Sequence, residues 1–324
     1  MMTWSKWLLT AAFVVQPLAV QARAQDYPTR PVTIVVPTGP GGGMEMVARL
    51  LAPKLEQRLG KPFIIENRPG AGTNIGAAAV ARAAPDGYSL LMATSSTMSI
   101  NVSIYKSLPF DPQKDLMPVA LYARVPFVLV VNPSSPARTA ADLVRLAKQQ
   151  PGKLTYASSG AGGAIHLASE LFKREAGVDL VHVPYRGGGP AMVGLLAGDV
   201  DVFISDLSTT IENIRGGRVK ALAMAWPTRS PFLPETPTFA ELGYPAVVSS
   251  SWFGLAAPAG TPAEIVERLA QAAKQANAAP EYLASLKKLG NEPFALTPEQ
   301  SQAFIKAEVD KWAAVARSAN IQVE

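Results

Sequence analysis

Two glycine-rich turns hold the residues best placed to do chemistry. Pro37-Thr38-Gly39-Pro40-Gly41-Gly42-Gly43 follows an apolar run at 32–36, and Ser158-Ser159-Gly160-Ala161-Gly162-Gly163 follows a second run at 154–157. Each turn opens into a helical pattern. A helix start leaves backbone N–H groups without intrahelical partners, and the helix dipole favours negative charge there. One turn of this kind need only satisfy a tight bend. Two, in separate halves of a chain, suggest one anion gripped from both sides. The candidate contacts are Thr38, Gly39, Gly41, Gly42 and Gly43 on one side, and Ser158, Ser159, Gly160 and Gly162 on the other.

Further polar residues sit at comparable strand ends. Asn74 starts a helical stretch after Gly72-Thr73, and Ser95-Ser96-Thr97 follows the run at 89–93. Both sets could border a cleft with neutral donors, and Thr73 and Asn74 equally suit helix capping. Asp206 follows the run at 200–205, as the N-cap of the next helix or as an acceptor for a ligand amine or hydroxyl. Facing a carboxylate directly, it would repel it. Glu45 in a first helical turn suits the dipole. Arg186, before Gly187-Gly188-Gly189, is the one cation among these turns and reads as solvated or domain-closing. His166 has no acid close by that would make it a base, so it reads as a packed structural histidine.

Enzyme chemistry finds little support. Gly39-x-Gly41 after a strand, with Glu66 ending the next strand, is a partial dinucleotide fingerprint, but its third glycine position is Met44. No G-x-S-x-G elbow exists, and the chain has only two histidines, His166 and His182. No metal-ligand spacing occurs. With 0 cysteines, thiol catalysis, disulfides and lipid attachment through cysteine are excluded. No cofactor is expected.

The chain opens as an export leader. Lys6 supplies the positive start, residues 7–20 the apolar stretch, and Ala22-Arg23-Ala24 a small-residue cleavage site. Cleavage is expected after Ala24, giving a free protein in the periplasm rather than an anchored one. The net charge of +5 falls to +3 once Lys6 and Arg23 leave. That mild surplus, with no basic run, makes nucleic acid an unsuitable partner. A hydrophobic content of 48% with 17% charged residues describes a well-buried globular chain.

The elements that must carry these turns alternate. Strands are expected at 32–36, 63–66, 89–93, 154–157, 180–183, 200–205 and 219–225. Helices are expected at 44–59, with a kink at Pro53, and at 74–83, 140–150, 164–176, 189–198 and 208–215. Two helices, 262–277 and 298–317, finish the chain, the last turning Phe304, Ile305, Val309, Trp312 and Val315 inward. Such alternation argues for parallel sheets covered by helices on both faces. The apolar stretch 118–131 is long for one strand and could run between two domains, and 252–258 reads as a second crossing. Two crossings make a discontinuous first domain, 25–124 plus 251–324, around a second at 125–250. Ligands in open α/β sheets bind beyond the carboxyl ends of the strands, where both glycine turns lie.

Six segments carry a family likeness: "YPTRPVTIVVP", "ENRPGAGTNIGAAAVARAAPDGYSLL", "LPFDPQKDLMPVA", "YASSGAGGAIHLASELFKREAGVDLVHVPYRGGGPAM", "LLAGDVDVF" and "SSWFGLAAPAGTP". On them the chain resembles the substrate-binding proteins of tripartite tricarboxylate transporters, the Bug family of periplasmic receptors. The resemblance implies a type II periplasmic-binding-protein fold: two α/β domains joined by two hinge strands, closing on a small carboxylate held by the two glycine turns and ordered water. It also implies a monomer that delivers its ligand to a two-subunit membrane transporter. A sensory receptor that presents the same ligand class to a membrane sensor is the alternative. Glu45 stands near where the family usually has Asp at this helix start.

Overall fold

The computed structural model describes residues 27–318 and 322. The expected leader therefore lies outside the described residues. The first third of the chain lays down β1 (Val32–Val36), α1 (Gly43–Leu59), β2 (Phe63–Asn67), α2 (Asn74–Ala81) and β3 (Ser89–Thr94). A π-helical turn at Ser96–Ile100 leads into α3 (Asn101–Ile104) and then into β4 (Leu116–Val131). After it come α4 (Ala140–Gln149), β5 (Thr155–Ser158), α5 (Gly163–Ala176), β6 (Val181–Pro184) and α6 (Gly188–Ala197). Next are β7 (Val202–Asp206), α7 (Leu207–Arg215), β8 (Lys220–Met224), β9 (Ser250–Pro258) and α8 (Ala263–Asn277). The chain closes with α9 (Pro280–Lys288), β10 (Glu292–Leu296) and α10 (Pro298–Ser318).

Strand order is β2-β1-β3-β9-β4-β7-β5-β6, with β8 and β10 also paired to β4. The β1–β3 and β5–β7 groups run parallel, as their intervening helices require. β4 is antiparallel to its neighbours and changes partner part-way. Residues up to Pro126 pair with β9, whereas Phe127 to Val131 pair with β7. A proline has no N–H to give the ladder, so Pro126 suits the point where one set of partners ends. The sheet curls there into two lobes: a first around β1, β2, β3, β9 and β10, a second around β5 to β8. The result is a two-domain α/β binding-protein fold, with β4 and β9 as the expected crossings.

Burial explains why β4 reads as one apolar run. Val125 and every residue from Phe127 to Val131 are buried, so neither face alternates with solvent. α1 continues as one helix through Pro53, whose ring sits on the exposed face. The carbonyl freed there can turn to water. Gly60 ends this helix in the left-handed region (φ 75°), as a C-terminal glycine should.

Two expectations about the tail are corrected. α9 and β10 stand between the two helices expected to finish the chain. β10 alternates between half-buried and exposed and pairs irregularly with β4, so its residues carry no apolar run to announce it. On α10, Glu308 is buried whereas Val309 is only half-buried. Glu308 accepts from Trp312 Nε1 at 2.9 Å and pairs with Lys311 at 2.9 Å, which lets a charge occupy an inward position.

Candidate functional site

The turn after β1 spends most of its amides on protein partners. Gly41 N–H donates to Glu45 Oε2 at 2.6 Å, and Glu45 is held in turn by Arg49 at 2.6 Å. Gly39 N–H donates across to Arg186 O at 2.7 Å, and Gly43 N–H donates to Thr209 Oγ1 at 2.8 Å. The donor set expected from the glycines is revised accordingly: Gly39, Gly41 and Gly43 shape the turn and dock it to the second lobe. Among the described residues the amides left over include that of Gly42 and those of Met44 and Glu45 in the first turn of α1, which a helix leaves unpaired. Gly42 and Met44 line the cavity between the lobes. Thr38 lines it too, and its buried Oγ1 has no partner among the described residues.

The turn after β5 is organised in the same way. Gly160 N–H donates to Ser158 Oγ at 3.2 Å, and Gly162 N–H to His166 Nδ1 at 3.1 Å. Ser158 is buried behind the turn, 2.6 Å from His182 Nε2, so it braces the loop and does not line the cavity. Ser159, Ala164 and Ile165 line it. Ala164 N–H donates to Ser96 Oγ of the first lobe at 3.1 Å.

A third helix start joins them. Gly188 opens α6 and lines the cavity. A Cβ on Gly189 would lie 2.3 Å from Pro40 O, and one on Gly187 would lie 2.8 Å from Gly39 N. The 186–189 run is therefore pressed backbone to backbone against the first glycine turn. Arg186 contributes its carbonyl to this seam. Tyr105 OH adds a bond across the lobes to Ala161 O at 2.6 Å.

Asp206 caps α7 and is 7% exposed. Its carboxylate accepts from Thr209 N–H (2.8 Å), Thr209 Oγ1 (2.9 Å) and Ser208 Oγ (2.9 Å). Burial pushes this carboxyl up from the ordinary range. So many internal donors make capping its main work, although it borders the cavity.

Asn74 and Ser95 stand one layer back. Asn74 accepts from Asn101 Nδ2 at 2.8 Å, and Ser95 Oγ is bonded to Ser251 Oγ at 2.7 Å. Their neighbours Thr73 and Ser96 line the cavity instead. Thr73 holds a left-handed backbone (φ 86°), a costly conformation for a threonine that the bond to Thr97 Oγ1 at 2.9 Å helps to hold.

Sequence reasoning missed Phe127 and Phe253, which form an apolar floor with Met44 and Ile165. Both phenylalanines lie at the crossings of β4 and β9. Residues there must face a cleft above them, and that position was the available signal. Thr94 and Ser251, joined at 2.8 Å, complete the polar wall. The cavity measures about 50 Å³, and among the described residues no Lys, Arg or His lines it. That is room for a few water-sized groups. An anion here would be held by neutral donors and by the positive ends of α1, α5 and α6. Among the described residues no group of three or more His, Cys, Asp or Glu side chains could hold a metal, and no helix is long and apolar enough to cross a membrane.

Comparison with known proteins follows the same lines. Residues 47–321 match the tripartite tricarboxylate transporter family receptor. Protein BugT of Bordetella pertussis is 37% identical over 308 residues, covering 95% of this chain and 94% of that protein. The solved periplasmic binding protein BugD is 35% identical with a TM-score of 0.89, over 92% of this chain and 100% of BugD. An R. palustris protein solved with adipate is 38% identical with a TM-score of 0.88, over 91% of this chain and 99% of the other.

Proposed function

This chain belongs to the tripartite tricarboxylate transporter receptor family, and from that premise we propose that it captures a small carboxylate between its lobes and delivers it to a two-subunit membrane transporter. Members of the family are periplasmic solute-binding receptors, not enzymes. One observation carries the carboxylate reading: the first turns of α1, α5 and α6, at Gly43, Ala164 and Gly188, meet around one small cavity that no cationic side chain lines among the described residues. Amides fixed by folding make charge-assisted bonds to an oxyanion without the desolvation cost of burying a lysine or arginine. The adipate held by a relative 38% identical to this chain fits that chemistry.

In this reading the ligand meets one turn in an open form, and the other lobe then swings over it. β4 near residues 123–125 and β9 near 251–254 absorb the rotation. The domains are 25–124 with 251–324, and 125–250. The change of pairing partner after Pro126 supports that division. The receptor acts as a monomer in the periplasm, reached by cleavage after Ala24.

Titration calorimetry with adipate, other dicarboxylates and monocarboxylates tests the proposal. Saturable binding at one site per chain, without turnover, is the expected result. Equal affinity for adipate and for its uncharged diamide would overturn the carboxylate reading.

A further inference from the structure

Thr38 carries a cleft hydroxyl that the fold itself does not use. It is 8% exposed, it lines the cavity, and its Oγ1 has no partner among the described residues. A buried hydroxyl in that state costs stability unless something meets it. Its place is fixed from both sides. Asn67 Nδ2 donates to Thr38 O at 2.9 Å, and the following amide, Gly39 N–H, is tied to Arg186 O at 2.7 Å. A β-branched side chain on a fixed backbone has little freedom to turn elsewhere. A second group with spare capacity is on Asp206. Capping falls on its Oδ1, which accepts from Thr209 N–H and Ser208 Oγ. Among the described residues Oδ2 receives a share of the Thr209 hydroxyl, which lies 2.9 Å from both oxygens, and nothing more. Thr38 and Asp206 both flank the start of α6. A Cβ on Gly187 would lie 3.3 Å from Thr38 Cβ, and one on Gly188 would lie 3.3 Å from Asp206 Oδ2. The start of α1 comes in beside them, since a Cβ on Gly42 would lie 3.7 Å from Gly188 N.

We propose that Thr38 and Asp206 together read a hydroxyl on the carbon next to the ligand's carboxylate, so that this receptor selects 2-hydroxy acids. The proposal rests on the carboxylate reading and narrows it. An ionised Asp206 can only accept, and it would repel a carboxylate placed beside it. A hydroxyl suits the pair, because it donates to Asp206 Oδ2 while accepting from Thr38 Oγ1. An ammonium can only donate, which leaves the Thr38 hydrogen without an acceptor. The size of the cavity sets where on the ligand this hydroxyl sits. At about 50 Å³ it has room for a few water-sized groups. With a carboxylate at the starts of α1 and α6, a hydroxyl that reaches Thr38 and Asp206 belongs to the neighbouring carbon.

Calorimetric titration with acids that differ by one 2-hydroxyl tests this: lactate against propionate, and malate against succinate, with alanine and aspartate as the amino counterparts. In each pair that binds, the hydroxy acid should bind at least about tenfold more tightly than the acid without the hydroxyl. Thr38→Val replaces the hydroxyl by a methyl group of the same shape. It should melt at the parent's temperature or slightly above, because it removes a buried hydroxyl without a partner. Its preference for the hydroxy acid should fall about fivefold or more, and Thr38→Ser should keep the preference.

Equal affinities within the pairs would overturn the proposal and leave the carboxylate reading standing. So would alanine or aspartate binding more tightly than its hydroxy counterpart. A Thr38→Val variant that weakens both members of a pair alike would make Thr38 a contact to the carboxylate itself, and would overturn the proposal as well. Failure of every one of these acids to bind would remove the carboxylate reading together with it.

Discussion

His166 and His182 stack with ring centroids 4.1 Å apart and planes tilted by 13°, and each braces one end of the glycine turn after β5. His166 Nδ1 accepts from Gly162 N–H, which fixes the ring hydrogen on Nε2 in the neutral form. His182 Nε2 meets Ser158 Oγ. Tyr156 extends the stack, 4.8 Å from His182. Its hydroxyl is bonded to Glu170, which Lys173 pairs with at 2.8 Å. A chain with only two histidines has placed both behind this glycine turn.

This arrangement predicts an acid-sensitive fold. Burial holds both histidines below the ordinary range, and His166 helps to push His182 down to about 4. An unfolded histidine takes up its proton near pH 6.5, whereas the folded pair refuses it. Between those values the unfolded chain binds more protons, so stability falls as pH drops from about 6.5 toward about 4 and is flat above that window. Calorimetric melting temperatures from pH 8 to pH 4.5 should trace this slope, and His182→Gln should flatten it. Equal slopes in parent and variant would remove the histidines from the explanation.

Gly43→Ala should separate closure from folding. The first position of α1 accepts alanine, which is a better helix former than glycine. In the closed form its Cβ would lie 2.2 Å from both Asp206 Oδ1 and Ser208 Oγ. Neither atom can swing away cheaply, because Asp206 is tied by the bonds that cap α7. An unchanged melting temperature with an adipate Kd raised about tenfold or more is expected. Gly42→Ala is the control, since its Cβ would make only ordinary contact, 3.5 Å from Gly189 N. Equal affinities in the two variants would mean that the lobes need not approach this closely.

What could be read in the residues follows the range of the interactions. The strand at 32–36, the glycine turn after it and the long crossing at 118–131 are local patterns, and each reappears in place. The partners of the turn amides are mostly not local. Glu45 bonds Gly41 from four residues away, which a helix start makes foreseeable. Arg186 and Thr209 reach Gly39 and Gly43 only because β4 folds the second lobe over the first. Glycine at 41–43 and 187–189 was legible as backbone freedom. That the two runs need their missing side chains to touch each other was not, since only the packed lobes reveal it. The stacked histidines likewise come from α5 and β6, joined by strand pairing between Tyr156 and His182.

Gly42→Asp should convert the receptor into one that carries its own anion. Gly42 is extended (φ −88°, ψ 161°), a conformation open to any residue and the usual one for an N-cap. A Cβ there finds its nearest neighbours in Gly189 N at 3.5 Å and Gly188 N at 3.7 Å. An aspartate would therefore fit, cap the Met44 and Glu45 amides, and face the α6 start across the cleft. Its charge would stand where the proposed carboxylate docks and would repel it. The expected variant has native circular dichroism, a melting temperature equal to or slightly above the parent's, and no measurable adipate binding. Adipate affinity within a factor of about three of the parent's would sink the idea that these helix starts hold the ligand.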